Sequence, residues 1–101
     1  MIPQKTLTLI KERSGGLCEN CGAQANDPAH IIHRKMGGRH GEREKIINDR
    51  RNIAALCRDC HDLTDNHRKE RYPGERDTAL NTIKAKIGWY DWLLEWREVK
   101  V

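Results

Sequence analysis

The chain has no phenylalanine, and no aromatic residue precedes position 72. All five aromatics, Tyr72, Trp89, Tyr90, Trp92 and Trp96, fall in the last third. The first two-thirds must therefore fold around aliphatic side chains. In a unit of 101 residues that demands a staple, either a disulfide or a metal. Long apolar runs are missing too: nothing approaches the roughly 20 residues of a membrane span. The opening "MIPQKTLTLI" lacks the apolar stretch of a secretory signal. Length gives one domain with at most a short appendage. The expectation is a cytoplasmic protein without a membrane partner, a setting where paired cysteines bind metal more often than they form disulfides.

Acidic excess is absent as well. The net charge is +4, and all of it sits between His30 and Arg51, where seven Lys/Arg face three acids. A basic patch confined to one segment suits a polyanion, nucleic acid first, although a solvated loop would show the same charge.

Apolar residues still make up 37% of the chain, and their pattern suggests its elements. "KTLTLIKERSGG" (Lys5–Gly16) reads as a short helix with a Gly-Gly stop. "AQANDP" reads as loop, "AHIIH" (Ala29–His33) as a short strand, and "RKMGGRHGEREK" as a charged surface loop. "NIAAL" (Asn52–Leu56) is a second strand. A polar helix runs from about Arg58 towards Arg71 and stops before Tyr72-Pro73. Beyond it, Leu80, Ile83, Ile87, Tyr90 and Leu94 recur three and four apart, predicting an amphipathic C-terminal helix that Gly88 weakens or bends. The class is α+β.

Cys18-x2-Cys21 and Cys57-x2-Cys60 are two knuckles 35 residues apart. Each can aim two thiolates at one cation, and together they complete a four-cysteine structural zinc site. Zinc would contribute directly to folding free energy, offsetting the thin core. The spacer is longer than that of a simple zinc ribbon, so something lies between the knuckles.

What lies there is "AHIIHRKMGG", then Asn52, then "LCRDCH". At these residues the sequence resembles the HNH endonucleases, the ββα-metal nucleases, in their zinc-stapled form. The resemblance spans Lys5 to Arg71 and rests on Cys18, Cys21, His30, the "RKMGG" loop, Asn52, Cys57, Cys60 and His61 in that order. It implies a nuclease core over residues 1–71, with 72–101 as a C-terminal helical extension. It also implies hydrolysis of DNA phosphodiester bonds, leaving 5′-phosphate ends, in a bacterial or phage-infected cell.

The roles implied are residue by residue. His30 is the general base, an imidazole with an ordinary pKa of about 6.5. Asn52 braces the segment carrying it. His61 and Asp65, one helical turn apart, hold a catalytic divalent cation, Mg²⁺ or Mn²⁺. Arg34, Lys35 and Arg39 grip phosphates without reading sequence. One departure stands out: many members carry an acid or His before the base, and here that position is Ala29. His33 could substitute, but in a regular strand it shares a face with Ala29, not with His30.

Two further readings stay open. A non-catalytic zinc module for DNA binding or protein docking would keep the knuckles and lose the acid. The tryptophans either complete the core or form a surface for a protein partner or homodimer.

Overall fold

The computed structural model describes residues 2–32, 42–64 and 73–100. It is a small α+β structure in which a two-stranded antiparallel sheet is flanked by helices. Helix α1 (Gln4–Ser14) follows Pro3, whose fixed φ suits a helix entry. It stops where Gly15 takes φ +66° and donates its N–H to the Lys11 carbonyl at 2.8 Å, so the Gly-Gly stop works as a left-handed cap.

Strand β1 (Asp27–His30) pairs with β2 (Ile53–Leu56) so that Asp27 faces Leu56 and His30 faces Ile53. The first strand thus begins two residues before the expected start and ends at His30 instead of His33. Asp27 and Pro28 belong to it, not to the loop. Pro28 has no N–H to give, which this sheet tolerates because among the described residues β1 pairs on one edge alone. The strand ends because Asn52 captures the next two residues. Its carbonyl accepts from Ile31 N at 2.8 Å and its side-chain oxygen from Ile32 N at 3.0 Å.

Helix α2 (Glu42–Ile47) occupies the end of the stretch expected to be surface loop. Burial explains the difference: Ile47 is fully enclosed, and the Trp92 indole donates to the Ile46 carbonyl at 2.7 Å. A 3-10 turn (Arg50–Asn52) comes next, capped by the Asp49 carboxylate accepting from Arg51 N at 2.8 Å. It delivers Asn52 to the start of β2.

Strand β2 is buried on both faces. Ile53 and Ala55 pack with Ile10 of α1, while Ala54 and Leu56 face the main core. Small alanines on both sides let the flanking helices approach closely. Helix α3 (Arg58–Thr64) starts directly after Cys57; the rest of that expected helix lies outside the described residues.

The C-terminal stretch is two helices, α4 (Pro73–Ile87) and α5 (Trp89–Lys100), not one. Gly88 breaks it with φ +77°, a backbone state costly for any residue with a Cβ. The break also resets the helical phase. Ile83 and Ile87 are buried as expected, but Tyr90 and Leu94 are 51% and 61% exposed. Trp89, Trp92 and Trp96 take the buried face instead. Trp92 lies 6.1 Å from Trp89 and stacks on Trp96 at 5.9 Å between ring centroids. All three join Ile47, Ala54, Leu56 and the knuckle cysteines Cys18, Cys57 and Cys60 in one cluster. The tryptophans thus fill the chain's own core and supply the aromatics its first two-thirds lack. Among the described residues no helix is long and apolar enough to cross a membrane.

Candidate metal centre and active-site cavity

The two knuckles meet at the end of the sheet. The thiols of Cys18, Cys21, Cys57 and Cys60 all lie within 4.8 Å of one another, three of the residues buried and Cys21 exposed. Cys21 Sγ and Cys57 Sγ are 3.6 Å apart, far beyond a disulfide bond of about 2.05 Å. A tetrahedron with Zn–S bonds of about 2.3 Å has sulfur–sulfur edges of about 3.8 Å. The donor set and spacing therefore fit a structural zinc.

Backbone geometry holds the first knuckle open for that purpose. Gly22, at φ +84°, donates to the Cys18 carbonyl at 3.0 Å, and Cys18 N donates to the Ala23 carbonyl at 2.6 Å. Asn20 Nδ2 lies 3.4 Å from Cys60 Sγ and links the knuckles. Burial works against ionising Cys18, but backbone hydrogen bonds from Cys21, Cys57 and Asn20 outweigh it and lower its pKa to about 6. Burial pushes Cys60 up to about 12. A cation bound among the four would favour the thiolate form of each ligand.

A polar staple fixes the knuckles to the sheet. Glu19, buried between the first two cysteines, accepts from Arg13 Nε at 2.8 Å and from Ala55 N at 2.8 Å. Its own N–H donates to the Ala55 carbonyl at 2.8 Å. Arg13 also donates to the carbonyls of Arg50 and Ile53, at 2.7 and 2.8 Å. Removing one partner of such a pair strands a buried charge, at about 3–5 kcal/mol.

Beside the metal centre, His30 at the end of β1 and His61 in the first turns of α3 line one cavity of about 660 Å³. They reach it because α3 begins at the second knuckle, which the β1–β2 register places opposite the start of β1. His30 Nε2 lies 2.8 Å from Asn48 Oδ1. His61 Nδ1 lies 3.0 Å from Asp27 Oδ2, which also pairs with Arg58 Nε at 3.1 Å. The His61 hydrogen bond, aided by the charges of Arg58 and His61 against the cost of burial, holds the Asp27 carboxyl below its ordinary range.

Asn52 stands behind the cavity, fully buried. Besides holding Ile32 N, its amide donates to the carbonyls of Ile32 and Ile47, at 3.0 and 2.9 Å. Its oxygen also accepts from the Trp89 indole at 3.2 Å. It ties the exit of β1, the end of α2 and the start of α5 together.

Of the residues singled out in the sequence, the four cysteines come together, His30 and His61 share a cavity, and Asn52 braces it. His33, Arg34, Lys35, Arg39 and Asp65 lie outside the described residues. Sequence reasoning missed Asp27, Asn48, Arg13 and Glu19. Asp27 had a legible signal: it sits two residues before Ala29, hence on the same strand face. Asn48 had none, since its contact depends on how the turn after α2 folds back. Compared with family models, curated proteins and solved structures, the chain matches none.

Proposed function

We propose that the protein is an HNH-type, metal-dependent endonuclease that hydrolyses DNA phosphodiester bonds. The observation carrying this reading is the convergence of His30 and His61 on one cavity beside a four-thiol metal centre, with Asn52 clamping the segment after His30. The order of these residues in the chain and the resemblance of "LCENCG…AHIIH…NIAALCRDCH" to that family support it.

The two histidines are engaged through opposite ring nitrogens. Asn48 Oδ1 accepts from the Nε2–H tautomer of His30, which places the basic lone pair on Nδ1. In that state His30 can take a proton from water as the water attacks phosphorus. Asp27 accepts from His61 Nδ1–H, which orients the ring and leaves the Nε2 lone pair for a metal, a common way of holding a ligating histidine. His61 would hold the catalytic cation, with Asp65 one turn further along the sequence. When bound, Mg²⁺ or Mn²⁺ there supplies charge neutralisation on the phosphate and the leaving oxygen. Asp27 lies on the strand face of Ala29 and supports His61 from two residues upstream of the missing acid.

The test is cleavage of supercoiled plasmid with Mg²⁺ or Mn²⁺, with His30→Ala alongside. Nicking is expected from the parent, with a loss of about 10²-fold or more in the variant at unchanged zinc content. Equal activity in both would remove His30 as the base. Zinc-loaded protein that retards plasmid in a gel but cuts no DNA substrate would favour a non-catalytic zinc module.

A further inference from the structure

The cavity has a second wall that the nuclease motif does not provide. Opposite His30 and His61 it is lined by Arg76, Asp77, Leu80, Asn81 and Lys84 of α4. Their spacing puts them on one side of the helix. The adjoining side carries Ala79, Ile83 and Ile87 and is buried in the core. A helix side that faces a cavity yet carries two cations, an amide and an acid is built for a hydrated, charged occupant.

Lys84 is held in that wall by a specific contact. Its ammonium lies 4.3 Å from the centre of the Trp89 ring, a cation–π arrangement. The same indole donates to Asn52, which holds Ile32 just past His30. Lys84 is thereby placed in register with the candidate base through two side chains. Burial, and then the neighbouring positive charge of Arg76, pull the Lys84 pKa down, with Asp77 opposing them. Asp77 pairs loosely with Arg76 at 3.8 Å and also acts on Lys84, so on this wall one acid serves two cations. An anion entering the cavity would relieve the cost of placing Lys84 there.

We propose that Lys84, flanked by Arg76, is a phosphate-contacting site on α4, so that a nucleic-acid strand is gripped between β1 and the C-terminal helix. This rests on the nuclease reading and makes residues 73–100 part of the substrate site. The chemical class bound is the phosphodiester backbone, without base readout.

The test measures affinity for fluorescein-labelled single-stranded and duplex oligonucleotides over a range of salt, in a His30→Ala background so that substrate survives. Lys84→Gln is compared with Lys86→Gln, which makes the same charge change at an exposed position of α4 outside the cavity. Lys84→Gln is expected to weaken binding about tenfold at low salt and to reduce the salt slope by about 0.7–0.9, one phosphate contact. Lys86→Gln should leave the slope in place, and Lys84→Arg should retain it. Zinc content and melting temperature show whether each variant is folded.

Equal losses in the Lys84 and Lys86 variants, or an unchanged slope in Lys84→Gln, would overturn the site. If those results come from a parent that nicks plasmid, the nuclease reading survives without it. A folded, zinc-loaded protein that neither binds oligonucleotides nor cuts plasmid would bring down both.

Discussion

The two ends of the molecule's core are held together by opposite kinds of chemistry. Around the knuckles, cohesion comes from four thiols, a buried Arg13–Glu19 pair and backbone hydrogen bonds to β2. Around α5 it comes from three stacked and tilted tryptophans. The first kind is directional and conditional, because buried polar groups hold only when completely paired and four clustered thiols hold firmly only around a cation. The second depends on area and fit. The candidate active site lies where they meet, and Asn52 is shared by both: it anchors the segment after β1 and receives the Trp89 indole. A small chain with few apolar residues thus combines a four-cysteine cluster with a local aromatic core.

Breaking the metal end should do the most damage. A strong chelator would remove the whole binding free energy of a structural zinc, about 10 kcal/mol or more, and is expected to abolish the cooperative thermal transition seen by circular dichroism. Cys57→Ser, which removes one of four thiols, is expected to lower that transition and weaken zinc retention. Tryptophan emission measured in the same sample sharpens the contrast. Native-like emission from the zinc-free chain would show that the aromatic end stands alone. Trp92→Ala comes next, at about 3–5 kcal/mol, because its ring is fully enclosed and its indole loses the Ile46 carbonyl. Denaturant titration should find it destabilised yet still carrying zinc. Gly88→Ala tests the seam between α4 and α5. The φ of +77° is costly for alanine, while space for the methyl exists, with Arg51 carbons at 3.7 Å. The expected loss is therefore only about 1–2 kcal/mol, read as a modest drop in melting temperature.

The same contrast governs how much could be read in advance. The cysteine end was legible because metal ligation fixes residue type and spacing together, so Cys18, Cys21, Cys57 and Cys60 announce themselves. The glycine stop of α1 and the second strand are legible for similarly local reasons, although the strand expected from Asn52 starts at Ile53 because Asn52 closes the 3-10 turn. The tryptophan end was only half legible. A period carried straight through Gly88 assigns Tyr90 and Leu94 to the core and leaves the tryptophans off the stripe. One residue at positive φ shifts the phase of everything after it. Asn52 was identified as a brace, but its partners Ile47 and Trp89 come from elements whose packing no local pattern encodes. Asn48 beside His30, and Lys84 over Trp89, are products of tertiary folding for the same reason. The start of β1 is hidden because Pro28 argues for loop unless its place on a strand edge is known.

The clamp on Asn52 has a consequence in time. Its side-chain oxygen takes one proton donor from Ile32, twenty residues earlier in the chain, and another from Trp89, thirty-seven residues later. A polypeptide is made from its N-terminus, so both knuckles and the sheet between them are synthesised before Trp89 exists. The four-cysteine cluster can therefore assemble before the contacts of Asn52 are complete. The last clamp can close only after the start of α5 has been translated, so a growing chain can gather its four cysteines before Asn52 has its full set of partners.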